Sequence, residues 1–476
     1  MKRFKYTFFL CIAFCAGILF SFSVYKLHRQ HQYEQKLDAN YPPYNTAVSI
    51  DSTNLPIVFI DTRQSRIERE SYGTAHMRII DNGNGQLNYA DTVRHNSQTV
   101  DYDGTIAIRY RGTSSYNCLE KKSYAIRPMC EGKKTKASLL GMTEGKKWAL
   151  QAVLSDRSLI RDVLTYELAR PYFEFVPQAR HCEVIVDGIY YGVYILLEQI
   201  TRGRLPIKKT GDSGNKLTGG YLLQIETYMP PKERFAHDSK YWEVRYCYES
   251  PDESISEAQK TYIDGKIDAM EDAFMEMDFP KIKQHVDFLS FADYQLVTEL
   301  SHNMDGYVRS TYIYKYRDKV DTRFKTTLWD YDLGYGNSNY GEGWRNDTWR
   351  AYDDLERVQK QGLTDRRPFL WGRLMESQEY MDVLRGRWAQ YRRGNYSDEH
   401  IEATIDSLTN LLTAYGAVQR NSQAWAVWSA EGQSPKAPRY IWPNKYVSSS
   451  YQDEISYLKR WLYERLQWMD GELLGY

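Results

Sequence analysis

The sequence predicts an α+β fold, with a β-rich N-terminal part over residues 55–230 and a mainly helical C-terminal part over 254–476. Short apolar, β-branched runs separated by Gly, Asn and Asp fill the first part, and hairpin turns join them. Beyond Ser254 the apolar residues recur at helical steps instead. A chain of 476 residues can bury a sizeable core. Lys plus Arg number 62 and so do Asp plus Glu, so there is no broad field to attract nucleic acid, and a general nucleic-acid partner is excluded. With 42% hydrophobic and 26% charged residues the chain is not collagen, wholly disordered or a polytopic membrane protein. Tyrosine is the outlier at 41 residues; such rings floor cores or line surfaces that hold sugars or proteins.

Residues 1–30 read as a membrane anchor or signal peptide. Lys2, Arg3 and Lys5 precede an uncharged run from Tyr6 to Tyr25, long enough at about 1.5 Å per residue to span a hydrocarbon core of about 30 Å. Ser21 and Ser23 offer a small-x-small cleavage site, while Phe14 before Cys15 speaks against lipoprotein processing. The remainder is expected outside the cytoplasm, membrane-anchored or secreted. Residues 31–54 form a polar spacer, and the folded part begins at 55. Cys118, Cys130, Cys182 and Cys247 would then meet an oxidising compartment, with two disulfides possible and the three pairings open. Cys118 and Cys130 are near enough in sequence to bridge a hairpin. No CxxC or His-rich spacing suggests zinc.

Leu55–Asp61, Ala75–Asp81 and Gly104–Arg111 read as strands, with turn residues such as Asn82-Gly83-Asn84-Gly85 between them. Ser155 and Asp156 can cap a helix carrying Leu159, Ile160, Val163, Leu164 and Leu168. Cys182–Val186 and Gly192–Leu197 flank Asp187-Gly188, a hairpin signal, and Gly219-Gly220 leads into a strand over Tyr221–Glu226. Two helices are expected between Ser254 and Leu300, then a strand pair over Thr311–Tyr316 and Lys325–Asp330. A Gly/Asn/Trp-rich loop follows from Gly334 to Trp349. From Pro368 the stripes Trp371–Leu374–Met381–Leu384–Trp388 and Ile401–Leu412, and a last segment over Ile455–Leu474, read as helices.

Trp329-Asp330-Tyr331-Asp332-Leu333-Gly334 carries the strongest chemical signal. In an extended chain Asp330 and Asp332 point to one side, and a magnesium or manganese ion would relieve their repulsion. A strand end with two loop-capping acids is the plainer alternative. Upstream, Asp305 in His302-Asn303-Met304-Asp305-Gly306 sits on a loop between helix and strand, placed to take a proton from an attacking hydroxyl, or simply to close a turn. Helix, loop acid, hairpin, metal acid is a kinase-like order. Arg111-Gly112-Thr113-Ser114-Ser115 offers N–H groups and hydroxyls to phosphate, and Lys122 on the return strand can reach the same anion. On an exposed hairpin those basic groups would simply be solvated. Glu198 closes a strand where a hinge between two lobes would run, or is an ordinary strand end.

These pieces, in this order, resemble the spore-coat protein H (CotH) kinase-like family. The matching stretches are Leu55–Asp61, Arg111–Ser115 with Lys121–Tyr124, Asp156–Arg161, Asp187–Gln199, Gly219–Leu223, Asn303–Tyr307 and Trp329–Gly334, within residues 55–476. The resemblance implies an atypical protein-kinase-like two-lobed fold that transfers the ATP γ-phosphoryl group to serine or threonine of a surface or coat protein, with Mg2+ or Mn2+. Carried over by position, it implies Lys122 as the contact to ATP phosphates, Asp305 as catalytic acid, and Asp330 with Asp332 as metal-binding residues; Arg111, Ser114, Ser115 and Glu198 stand beside them as candidate cofactor-binding residues, and Asn303 as a further candidate metal ligand. Thr113 stands where the family turn more often has Asn, and Ser310 where a kinase loop commonly places a metal-binding Asn. The other classes considered are a catalytically silent surface scaffold and a metal-dependent glycosyltransferase; hairpins in place of a parallel sheet count against the latter.

Overall fold

The computed structural model describes residues 43–83, 85–227, 235–338, 340–352, 369–428 and 448–475. Alternation of buried and exposed side chains builds the N-terminal strands; Ile106, Ile108 and Tyr110, for example, all face inward. The strands are β1 (Ser52–Thr53), β2 (Ile57–Asp61), β3 (Gly73–Ile80), β4 (Asn88–Tyr89), β5 (Val100–Arg111), β6 (Ser123–Cys130), β7 (Lys133–Lys134), β8 (Trp148–Gln151), β9 (Ala179–Val186) and β10 (Ile189–Glu198). Eight of them form a sheet in the order β5-β3-β2-β9-β10-β8-β6-β7, and β5 also pairs with β6. That extra pairing closes the sheet on itself and covers its open edges. β2 and β9 run parallel, whereas the other neighbours are antiparallel. Asp187 (φ 49°) and Gly188 (φ 81°) are both left-handed between β9 and β10, as a two-residue Asp-Gly hairpin requires.

A second sheet is formed by β11 (Tyr221–Thr227), β12 (Ala236–Asp238), β13 (Val244–Ser250), β14 (Thr311–Lys315) and β15 (Phe324–Thr327), in the order β12-β13-β11-β14-β15. The expected β14–β15 hairpin is therefore the far half of a sheet begun in the N-terminal part. Helices are α1 (Ser114–Cys118), α2 (Arg161–Ala169), α3 (Gly214–Leu217), α4 (Glu257–Glu276), α5 (Phe279–His285), α6 (Phe288–Ser301), α7 (Leu370–Leu374), α8 (Gln378–Arg392), α9 (Asp398–Thr413), α10 (Ala417–Trp425) and α11 (Tyr451–Leu474). The smaller of two apolar cores fills the closed sheet, and the larger joins the second sheet to α2 and the C-terminal helices.

Several expectations change. Between Ser254 and Leu300 there are three helices, not two, because left-handed Met277 (φ 55°) stops α4 and the Asp278 and Asp287 side chains cap α5 and α6. The Trp371–Trp388 stripe is likewise split by Ser377, which caps α8. Residues 114–118 wind into α1 rather than a tight hairpin turn. All four described cysteines are free thiols, so neither of the two disulfides that the sequence allows is formed among them. Cys118 ends α1 beside the start of β6, whereas Cys130 ends β6; at about 3.3 Å per residue that strand carries them much farther apart than the ~6 Å a disulfide spans. Residues 1–30, expected as a membrane anchor or signal peptide, lie outside the described residues; among those described, no helix is long and apolar enough to cross a membrane.

Gly112 is a conformational requirement of the β5–α1 junction: its φ is +94°, and an added Cβ would lie 2.1 Å from Ser115 Oγ. Gly112→Ala is expected to cost about 1–2 kcal/mol. Denaturant titration should show a lower midpoint at unchanged slope; an unmoved midpoint would show that the junction adapts freely.

Candidate active site

Helix α6 is almost wholly buried and stops at His302, whose φ of 47° turns the chain out of the helix. The following loop is tightly folded. Asn303 Oδ1 accepts the Asp305 N–H at 3.2 Å, and Gly306 packs so closely that a Cβ would come 2.5 Å from Thr298 Cγ2. Asp305 is therefore presented on a fixed turn with its carboxylate partly open. Its Oδ1 accepts the Tyr340 hydroxyl at 2.8 Å and lies 3.3 Å from Arg309.

The second acidic segment follows β15. That strand ends at Thr327, and Asp330 takes φ 68°, so Asp330 and Asp332 are not on one face of an extended strand as the sequence suggested. Here the chain turns sharply because partners from three other segments hold it. Asp330 N–H donates to the Tyr166 hydroxyl (3.1 Å), its carbonyl accepts Asn303 Nδ2 (2.9 Å), and its carboxylate accepts Ser310 Oγ (3.0 Å). Tyr331 N–H donates to Asp162 Oδ1 at 2.6 Å. The Asp332 carboxylate accepts the Ser155 hydroxyl, and its carbonyl accepts Asn337 Nδ2 at 2.7 Å.

These acids raise one another's affinity for protons. Burial, then the charge of Asp305, raises Asp330, with Arg111 and Ser310 pulling the other way. Burial, then Asp330 and Asp162, raises Asp332 well above the usual carboxylate range. Asp162 is pushed up to about 7, by burial first and the Asp330 charge second. Such mutual repulsion in a desolvated place is the condition that a cation or a positively charged side chain relieves.

The N-terminal part contributes Arg111, from the end of β5. Its guanidinium lies 5.3 Å over the Trp329 ring and attracts the Asp330 charge, so β5 and the Asp330 turn meet here. Ser114 and Ser115 are half-buried in α1 beside it. Lys122 is held differently: its buried ammonium donates to the carbonyls of Tyr116 and Leu119 at the end of α1. Glu198 is buried with Arg204, 3.5 Å away, and accepts the Gln178 N–H at 3.1 Å; these contacts hold the β9–β10 region. Asn303 uses both ends of its amide on the loop, as acceptor for Asp305 and donor to Asp330.

The structure thus brings together Asp305, Asp330, Asp332 and Arg111, with Asn303 as loop framework, and ties Lys122 and Glu198 to other partners. It adds Asp162, Ser155 and Tyr340, which the sequence did not single out as site residues, and sets Ser310, at the loop position where a metal-binding Asn is common, against the Asp330 carboxylate instead. Asp162 carries a signal in the sequence: it is an acid set among Ile160, Val163 and Leu164. Hard oxygen donors of this kind suit magnesium or manganese. Among the described residues, however, no three His, Cys, Asp or Glu side chains stand close enough to enclose an ion as they are.

A family model described as CotH kinase protein matches residues 108–469. The chain belongs to the CotH kinase family. The match begins within β5 and ends in α11, so it takes in Arg111 and every acid described above. Strands β1–β4 precede it, although β2 and β3 help close the CotH chain's first sheet. Membership makes this a kinase-like protein and agrees with the resemblance carried by its motifs. No curated protein matches the chain.

Proposed function

We propose that this CotH-family chain is an atypical two-lobed protein kinase, acting outside the cytoplasm, that transfers the γ-phosphoryl group of ATP to a serine or threonine hydroxyl of a surface or coat protein. One observation carries the reading: the Asp305 loop and the Asp330–Asp332 turn, joined by the Asn303 bond to the Asp330 carbonyl, bring three acids within one another's electrostatic reach beside Arg111. Asp330 and Asp332 would hold a magnesium or manganese ion, which when bound supplies charge neutralisation for the phosphates. Arg111, stacked on Trp329, offers a planar donor fork suited to phosphate oxygens. The acceptor oxygen attacks the γ-phosphorus, the bond to the ADP oxygen breaks, and Asp305 takes the hydroxyl proton. The Tyr340 hydroxyl, 2.8 Å from Asp305, supports that role, since it already engages this carboxylate as an acceptor hydroxyl would. Lys122 can join the phosphates only by leaving its two carbonyls, so Arg111 is the preferred anion-binding group.

Those commitments favour a second reading, a silent scaffold that keeps the kinase-like shell. A sugar-nucleotide transferase fits less well, because β2–β9 is the one parallel pair among the named strand pairings. Incubation with labelled ATP, Mn2+ and surface proteins is expected to label an acceptor, and Mn2+ with ATP to raise the melting temperature. Neither label nor thermal shift would leave the scaffold. Export rests on the basic residues preceding the uncharged Tyr6–Tyr25 run.

A further inference from the structure

We infer that Asp162 and Tyr166, one helical turn apart on α2, are a positioning pair that holds the Asp330–Asp332 turn in its working shape. The use of that turn rests on the phosphotransfer reading; its geometry does not. Both side chains are buried, at 1% exposure each. Asp162 Oδ1 accepts the Tyr331 N–H at 2.6 Å, and the Tyr166 hydroxyl accepts the Asp330 N–H at 3.1 Å. The same hydroxyl donates back towards Asp162 Oδ1 at 3.4 Å, so the two acceptors are linked. Gln151 Nε2, from β8, donates to Asp162 Oδ2 at 2.8 Å and fixes the rotation of the carboxylate.

Two successive backbone N–H groups are thus received by one face of one helix. The need for that is local. Asp330 has φ 68°, a conformation an L-residue with a side chain seldom adopts, and Tyr331 is buried, so the Tyr331 N–H has no water as an alternative. Without these acceptors the Tyr331 N–H would be orphaned inside the protein and the Asp330 N–H would lose its partner, and the turn would relax towards an ordinary extended exit from β15. Asp330 and Asp332 would then point elsewhere. Asp162 lies in the first turn of α2, where a carboxylate is favoured by the helix dipole. Its two oxygens are both engaged within the protein, which makes it a group that acts through the turn rather than on a ligand.

The test is Mn2+ affinity of the full chain by calorimetry, with amide hydrogen exchange read over residues 328–335. Asp162→Ala is expected to weaken Mn2+ by about 10–100-fold and to speed exchange in that segment alone. Tyr166→Phe should do the same more mildly. Asp162→Asn keeps an oxygen for Tyr331 N–H, with the Gln151 amide turning to match, and is expected to recover most of the loss. If Asn is as damaging as Ala, charge and not positioning is what matters, and the inference is overturned; so it is if Ala changes nothing. If Asp162→Ala does not fold, Tyr166→Phe decides, and unchanged affinity and exchange would overturn the pair. If the unaltered chain binds no Mn2+, the phosphotransfer reading fails, and exchange alone decides: unchanged exchange in Asp162→Ala removes the positioning role.

Discussion

Replacing Asp330 by alanine is expected to abolish Mn2+- and ATP-dependent stabilisation and to lower phosphoryl transfer by at least about 10²–10³-fold, the scale of losing one preorganised charge-stabilising group. Asp330 is the acid through which the others are coupled: its charge raises both Asp162 and Asp332, and is itself answered by Arg111. Without a cation that arrangement costs stability. A carboxyl raised in the folded state contributes stability that is present below its unfolded value and lost as pH rises through the folded one. For Asp162 that window reaches from the ordinary carboxylate range up to about 7. The cation-free protein should therefore weaken from pH 5 towards pH 8, and removing the Asp330 charge should flatten the slope. Alanine confounds this slightly, since a left-handed residue at φ 68° suits Asp or Asn better. Asp330→Asn is the cleaner partner: it should melt at or above the unaltered protein in EDTA at pH 8, and show no shift with Mn2+ and ATP. A normal shift in either variant would mean that the acids are a structural knot and not a binding site.

The elements legible in the sequence are local ones. Asp187-Gly188 specifies its own turn, β5 alternates visibly, and the loop acids Asp305, Asp330 and Asp332 stand at the ends of recognisable apolar segments. What escaped depends on partners distant in the chain. β11 pairs with β14 across a long interval of helices, so the second sheet has no local period to reveal it. Asp330 looks extended because Leu328 and Trp329 carry the apolar run of β15 up to it, yet its φ is set by Tyr166, Asp162 and Asn303 from elsewhere. The position of Lys122 on the return strand suggests a phosphate ligand. Its ammonium is instead claimed by α1, an element that the Gly-Thr-Ser-Ser sequence disguised as a turn. Glu198 shows the same limit, since its partner Arg204 is close in sequence but the buried pairing is a product of the β9–β10 packing.

The Asp156–Arg161 motif supplies the largest expected effect on stability. Asp156 does help to start a helix, as its position suggested, but from a distance: its Oδ2 accepts the Arg161 N–H at 2.9 Å, while Ile160 occupies the cap position with no side-chain bond. The same carboxylate pairs with the Arg161 guanidinium at 2.5 Å, and Glu454 of α11 pairs with it at 2.8 Å. All three side chains are buried. Burial disfavours the guanidinium charge, but Asp156 and then Glu454 more than offset it. Arg161→Met fills the space yet strands two carboxylates, and is expected to cost about 3–5 kcal/mol in denaturant titration. Adding Asp156→Asn and Glu454→Gln should restore most of the loss by removing both charges. Because Arg161 adjoins Asp162, the single variant should also loosen the acid turn and weaken Mn2+ binding, whereas the triple variant should recover both. A loss under about 1 kcal/mol would show that the triad is marginal and that apolar packing alone fixes α2 against α11.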